Sequence, residues 1–247
     1  MNLDGQVAVV TGAGSGIGLG AAAAFRARGA TVLAADLDPT AAEALDGVVG
    51  IEADVRSDAD MARVAEAAAE LGPVGVVMAN AGIAAGGRVE NVPIEEWHRL
   101  LDLNVLGVVR TIQPHLPAMR DRGDGYLVVT GSSAGLFTDP TGGNAPYATT
   151  KAALLGLARN LAKQVDGDGL AVHYLAPRLT DTPFPVSAVA WGRSGARTMS
   201  DRPVEGADTV DQVIDALLDG MAQRRFLISL TPDTEEQLTA FARSEEP

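Results

Sequence analysis

Two hydrophobic patterns alternate along this chain. Short unbroken apolar runs, the first being Val7-Ala8-Val9-Val10, are followed by longer Ala-rich stretches whose apolar side chains recur every three or four residues. Unbroken runs predict strands covered on both faces, as in a parallel sheet, and the longer period predicts amphipathic helices. Strands are predicted at 7–10, 31–35, 48–52, 74–78, 127–130, 171–175 and 226–230. Helices are predicted at 18–28, 59–71 and 147–163. In the second of these, Met61, Val64, Ala65 and Ala68 share a face, and Ser57 stands at the capping position with Asp60 three residues on. The rhythm predicts one doubly wound, Rossmann-type α/β domain over 1–247, with a mostly parallel sheet of about seven strands and helices on both faces.

One stretch breaks the rhythm. Residues 183–206 hold Pro183, Pro185, Trp191, Gly192, Gly195 and Pro203. An irregular segment of that length is more often functional than idle, and a substrate lid is expected there. Phe184, Val186, Val189 and Trp191 point to an apolar pocket, hence a hydrophobic substrate. Arg193, Arg197 and Arg202 are read as a solvated loop surface. A short helix is expected at 233–242, then a flexible tail at 243–247.

Composition narrows the function. Apolar residues make up 47% of 247, enough for a sizeable core. The formal charge, 19 − 32 = −13, disfavours nucleic acid and anionic membrane as partners. Cysteine is absent, which excludes thiolate chemistry and disulfides. The first residues carry no basic-then-apolar leader, and no apolar run reaches spanning length, so a cytoplasmic protein is expected. His98, His115 and His173 share no ligand spacing and the carboxylates are dispersed, so no metal site is expected.

Chemistry first shows at Thr11-Gly12-Ala13-Gly14-Ser15-Gly16-Ile17-Gly18, between the first strand and the first helix. A tight strand-to-helix turn and close approach to a pyrophosphate both require residues without Cβ, and the helix N-terminus offers free N–H groups. Asp36, at the end of the second strand, has the spacing at which a carboxylate meets the adenosine ribose. It would repel a 2′-phosphate, and neither Ser15 nor Leu37 supplies a cation to offset that. The cofactor expected is NAD(H).

Taken with Asp54-Val55, Asn80-Ala81-Gly82, Asn104, Gly131-Ser132, Tyr147-x-x-x-Lys151 and Pro177, this loop resembles that of the short-chain dehydrogenase/reductase family. The resemblance covers most of the chain and implies a hydride transfer between the cofactor and an alcohol or ketone. It implies a catalytic set of Asn104, Ser132, Tyr147 and Lys151. It implies cofactor contacts from Gly12, Ser15, Gly16, Ile17, Gly18, Asp36, Leu37, Asp54, Val55, Asn80, Ala81, Gly82, Tyr147, Lys151, Pro177, Arg178 and Thr182, with Asp54 and Val55 beside the adenine.

Residue chemistry agrees. Tyr147 and Lys151, four apart in a helix, share a face. A neighbouring ammonium is expected to lower the phenol's pKa and make Tyr147 a general acid/base. Ser132 would steady the substrate oxygen, and Ser133 competes for that role. Asn104 is a poor helix former inside a predicted helix; by resemblance it kinks the helix and orders a water near the lysine, and the alternative is a capping residue. Two departures stand out. Many family members have Pro-Gly where this chain has Pro177-Arg178, and the arginine either forces another backbone or brings a cation to the cofactor or substrate. The C-terminus differs too, although a homodimer or homotetramer is still expected. Rival readings are an NADH-sensing regulator without catalysis, and an epimerase, dehydratase or enoyl reductase on a similar scaffold.

Overall fold

The computed structural model describes residues 1–137, 142–183, 189–193, 195–198, 206–231, 233, 234, 236 and 238. Its seven central strands are β1 (Val7–Thr11), β2 (Thr31–Asp36), β3 (Val48–Glu52), β4 (Val74–Ala79), β6 (Gly125–Thr130), β7 (Leu170–Ala176) and β10 (Leu227–Ser229). They lie in the order β10-β7-β6-β4-β1-β2-β3, and every neighbouring pair is parallel. Each predicted strand is present. The reason is visible in β1 and β7, where every residue is buried: both faces of the sheet are covered, so no polar alternation is needed.

The covering helices are α1 (Gly16–Arg26), α2 (Thr40–Glu43), α3 (Asp58–Leu71), α4 (Ile94–Leu101), α5 (Gly107–Ile112), α6 (Leu116–Arg122), α7 (Ala145–Gln164) and α8 (Val210–Ala222). On one face, Phe25 of α1 and Leu217 and Met221 of α8 pack with Val10, Val32 and Met78. On the other, Leu154 and Ala158 of α7 and Ile112 of α5 pack with Val77, Leu127 and Val129. Ser57 caps α3 as expected, accepting from Asp60 N–H at 3.1 Å.

A second sheet was not expected. β5 (Ala85–Gly87) pairs in parallel with β8 (Val189–Gly192), which pairs antiparallel with β9 (Gly195–Thr198). The 183–206 stretch is therefore not irregular throughout, and Val189 and Trp191 belong to a strand laid against β5. Arg193 is exposed there, and the Arg197 side chain lies outside the described residues. Most of the 233–242 helix, all of the 243–247 tail, Phe184, Val186 and Arg202 lie outside the described residues.

Asn104 sits in neither a regular helix nor a cap. Residues Asp102–Leu106 form one π turn between α4 and α5. A π turn inserts an extra residue into a helix, and such turns gather at functional sites. Among the described residues, no helix is long and apolar enough to cross a membrane.

Candidate active site

The order of the central sheet reverses at β1, with β2 on one side and β4 on the other. Loops leaving the carboxyl ends of strands diverge at such a point and leave a crevice. Here the crevice is a cleft of about 870 Å³. Its floor is tied by Thr11 and Asn80. The Thr11 hydroxyl accepts from Asn80 N–H at 3.1 Å, and Asn80 Nδ2 donates to the carbonyls of Thr11 and Gly12 at 3.1 and 3.2 Å. Gly12 has φ +67°, and a Cβ on Gly18 would stand 2.0 Å from the Gly12 carbonyl oxygen. Gly18 therefore closes the turn by packing on Gly12, while Gly16 and Ile17 open α1 into the cleft.

No side chain caps α1 at Ser15, so its first-turn N–H groups stay open toward the crevice. The Asp36 carboxylate is fixed nearby. It accepts from Gly14 N–H at 2.8 Å and from Asp38 N–H at 3.1 Å. A carboxylate has about four lone-pair directions, so two such bonds orient it without exhausting it. The cleft thus carries uncapped N–H donors at one place and an oriented carboxylate at another. That donor set suits a diphosphate joined to a ribose, so the residues present fit a dinucleotide.

At the other end, Ser132 leaves β6 in an extended conformation, and its Oγ accepts from Ala134 N–H at 3.1 Å. The same side chain is hydrogen-bonded to Tyr147. Ser133 instead opens a 3-10 turn, and its N–H donates to the Pro177 carbonyl at 2.9 Å. Lys151, one turn after Tyr147, is 3% exposed and donates from Nζ to the Thr130 carbonyl at 2.9 Å. Its Nζ lies 5.6 Å from the centre of the Tyr147 ring. Asn104 is fully buried and spans the gap between the strand-side loop and α7. Its Oδ1 accepts from Ile83 N–H at 2.9 Å, and Nδ2 donates to the Ile83 carbonyl at 2.9 Å and the Thr150 hydroxyl at 3.0 Å.

The electrostatics correct one expectation. Burial pushes Tyr147 up to about 12, and its hydrogen bond with Ser132 only partly opposes that. Burial also lowers Lys151 to about 8. The ammonium was expected to draw the phenol down. It faces the ring and a carbonyl, and removing both groups from water favours both neutral forms.

The cleft collects most of the residues singled out from the sequence. Gly12, Ser15, Gly16, Ile17, Asp36, Asn80, Ala81, Gly82, Ser132, Tyr147, Lys151, Pro177, Arg178 and Thr182 line it. Gly18, Leu37, Asp54, Val55 and Asn104 do not. Leu37 is 64% exposed, and Val55 is buried against Gly107. Asp54 is gripped by Arg56 at 2.5 Å, which holds its carboxyl below the usual range. The sequence reading missed Asn144, Leu179 and Thr180, all of which line the cleft. Asn144 stands just ahead of α7, and its placement depends on the bridge between Gly87 and Asn144, a pairing that no local pattern announces. Among the described residues, no cluster of acidic or imidazole side chains could hold a metal ion.

Arg178 resolves into an ion pair. Its Nε donates to Asp208 Oδ2 at 3.1 Å, and Nη2 donates to Oδ1. The Asp208 side chain is 7% exposed and that of Arg178 is 42% exposed.

Comparison with known proteins adds four findings. The family model described as short chain dehydrogenase matches residues 6–192. A Mycobacterium tuberculosis protein described as an uncharacterized NAD-dependent oxidoreductase is 35% identical over 206 residues, covering 74% of each chain. The 1-deoxy-11-beta-hydroxypentalenate dehydrogenase of Streptomyces avermitilis is 31% identical, covering 96% of this chain and 89% of its own. Among solved structures, a short chain dehydrogenase/reductase from Burkholderia phymatum in complex with NAD superposes with a TM-score of 0.85 at 25% identity, covering 100% and 96% of the two chains.

Proposed function

This chain belongs to the short-chain dehydrogenase family of oxidoreductases, and from that premise we propose that it is an NAD(H)-dependent enzyme. Its substrate is a small hydrophobic secondary alcohol or the matching ketone. The observation that carries this reading is the grouping of Ser132, Tyr147 and Lys151 at one end of the cleft, with Tyr147 hydrogen-bonded to Ser132 and Lys151 buried beside it. The rival reading, a sensor that binds the cofactor without turning over, needs the glycine loop but not this grouping.

Bound NAD(H) supplies or accepts the hydride. The open N–H groups of Gly16 and Ile17 would hold its diphosphate, and Asp36 would accept from the adenosine ribose hydroxyls and repel a 2′-phosphate. Neither Ser15 nor Leu37 is basic, so neither offsets that repulsion. Asp54 and Val55 would border the adenine from outside the cleft wall. Asn80, Ala81 and Gly82 would line the middle, and Pro177, Arg178 and Thr182 the opposite wall. The name of the mycobacterial relative and the NAD-bound structure support the same cofactor.

The residues then divide the proton work. Ser132 donates to the substrate oxygen and steadies the charge that develops there. Tyr147, a neutral phenol at physiological pH because burial raises it to about 12, gives its proton to that oxygen in ketone reduction and takes it back in alcohol oxidation. Lys151 keeps a positive charge below about pH 8 and lies close enough to steady the phenolate left behind. Asn104 holds Ile83, and so the cleft wall, in place. The apolar lining from Ala84, Leu179 and Pro183 favours a hydrophobic substrate. We place the enzyme in the cytoplasm as a homodimer or homotetramer, without nucleic-acid or membrane partners, with the 183–206 stretch as its substrate lid.

The test is turnover of a panel of secondary alcohols with NAD⁺ and of ketones with NADH, for the wild type and Tyr147→Phe. The expected result is activity on apolar members that falls by at least about a hundredfold in the variant, the usual scale of general acid–base catalysis. Full activity in Tyr147→Phe would remove the tyrosine from the mechanism. NADH binding with no turnover of any substrate would favour the sensor.

A further inference from the structure

From the Arg178–Asp208 fork we infer that this pair is a positioning device for the cofactor wall, joining the segments that flank the 183–206 stretch and holding Thr182 against the glycine loop. The inference rests on the cofactor reading above. The pair lies where the chain leaves β7 and where it comes back to α8. Between these points the backbones are also joined. Asp208 N–H donates to the Leu179 carbonyl at 2.9 Å, and Asp181 N–H donates to the Asp208 carbonyl at 2.9 Å. Thr180 pairs with Asp208 as a parallel bridge, and its buried hydroxyl donates to the Arg178 carbonyl at 3.0 Å. Arg178, Asp208 and the Leu179–Asp181 backbone thus form one small closed unit at the neck of the excursion.

The unit touches the site on two sides. The Pro177 carbonyl accepts from Ser133 N–H at 2.9 Å, next to Ser132. Thr182 stands so near Gly16 that a Cβ added there would meet its side chain at 3.1 Å. Displacing the neck would therefore move both the wall facing the α1 N-terminus and the backbone behind Ser132. A glycine at 178 could not make the fork. The guanidinium is what balances a carboxylate that is almost removed from water. Thr209, the next residue, starts α8 with a capping box to Gln212, so the Asp208 backbone is anchored to a regular helix rather than to a free loop. One guanidinium nitrogen remains outside the fork, and the role assigned to Arg178 on the cleft wall it lines is positioning.

The experiment is a double-mutant cycle with Arg178→Met, Asp208→Asn and the double variant in the full chain. NADH affinity is read by nicotinamide fluorescence, kcat is measured at saturating cofactor, and melting temperature is recorded. The expected result is a rise of about tenfold or more in the NADH dissociation constant for each single variant. The double variant should be no weaker than the worse single, and kcat should change less than affinity. Arg178→Met keeps the test valid if Asp208→Asn does not fold, because the arginine is the more exposed partner. Wild-type NADH affinity in Arg178→Met, with or without a lower melting temperature, would overturn the inference. So would effects that add in the double variant. A wild type that binds no NADH would instead overturn the cofactor reading, which keeps the two failures apart.

Discussion

Asn104 and Ile83 are joined by two hydrogen bonds running in opposite directions, each 2.9 Å long: Ile83 N–H donates to Oδ1, and Nδ2 donates back to the Ile83 carbonyl. The π turn places the asparagine so that it reaches across to the strand-side loop. What it holds is a hub. The next residue, Ala84, accepts from Val189 N–H of β8 at 3.4 Å, and Gly87 N–H donates to the Gly143 carbonyl, just ahead of α7, at 2.6 Å.

Asn104→Ala leaves the half-buried Ile83 N–H and carbonyl without these partners, at a cost of about 1–3 kcal/mol for each group. We predict a loss of about 2–4 kcal/mol in urea denaturation, together with a clear fall in turnover. A stability change below about 0.5 kcal/mol, the range of an ordinary surface substitution, would show that the clasp is dispensable.

Stability should depend on pH through Lys151 and Tyr147. Lys151 falls from 10.5 to about 8 in the folded chain. Between those values the unfolded chain binds the proton and the folded chain does not, so stability rises with pH across that window. Tyr147 rises from 10.0 to about 12, so in that higher window the folded chain keeps the proton and stability falls. Lys163 is the other lysine in the sequence, and its exposed pair with Asp166 raises its pKa, so it does not mimic the signal. Denaturation midpoints measured from about pH 7.5 to 9.5 should climb in the wild type and climb less in Lys151→Met. Parallel profiles would refute the assignment.

Ser132 and Ser133 are separable by geometry. Ser132 Oγ meets Tyr147, whereas Ser133 contributes its backbone N–H to the Pro177 carbonyl. Ser132→Ala should reduce kcat by about 10²–10³, the scale for losing one donor to a developing oxyanion, with Ser133→Ala close to wild type. The reverse order in steady-state kinetics would transfer the role to Ser133.

Gly131 couples the core to the site. A Cβ there would lie 2.0 Å from Cζ of Tyr174, whose hydroxyl donates to the Lys151 carbonyl at 2.9 Å. Tyr174 is fully buried and cannot swing aside. Gly131→Ala should destabilise the fold by about 1–3 kcal/mol through overpacking and lower turnover, because the displaced ring carries α7 with it. A melting temperature equal to wild type would mean that the ring has room.

How much of this was legible follows from where each contact is made. The central strands were, because continuous burial writes itself as runs such as Val7-Ala8-Val9-Val10. The glycine loop and the Tyr147–Lys151 spacing are local too. The small sheet was not, because Ala85-Gly86-Gly87 lacks strand-forming residues and takes its partner from about a hundred residues away in β8. The Arg178–Asp208 pair is equally long-range. The pKa of Tyr147 was misread because the sequence shows that a lysine is near but not that both groups are removed from water.

The most direct test of the account is a titration of the purified chain with NADH and, separately, with NADPH, repeated for Asp36→Ala. The account predicts that NADH binds clearly more tightly, and that Asp36→Ala erodes the preference by admitting the 2′-phosphate. Equal or tighter binding of NADPH by the wild type, or discrimination unchanged in Asp36→Ala, would contradict it.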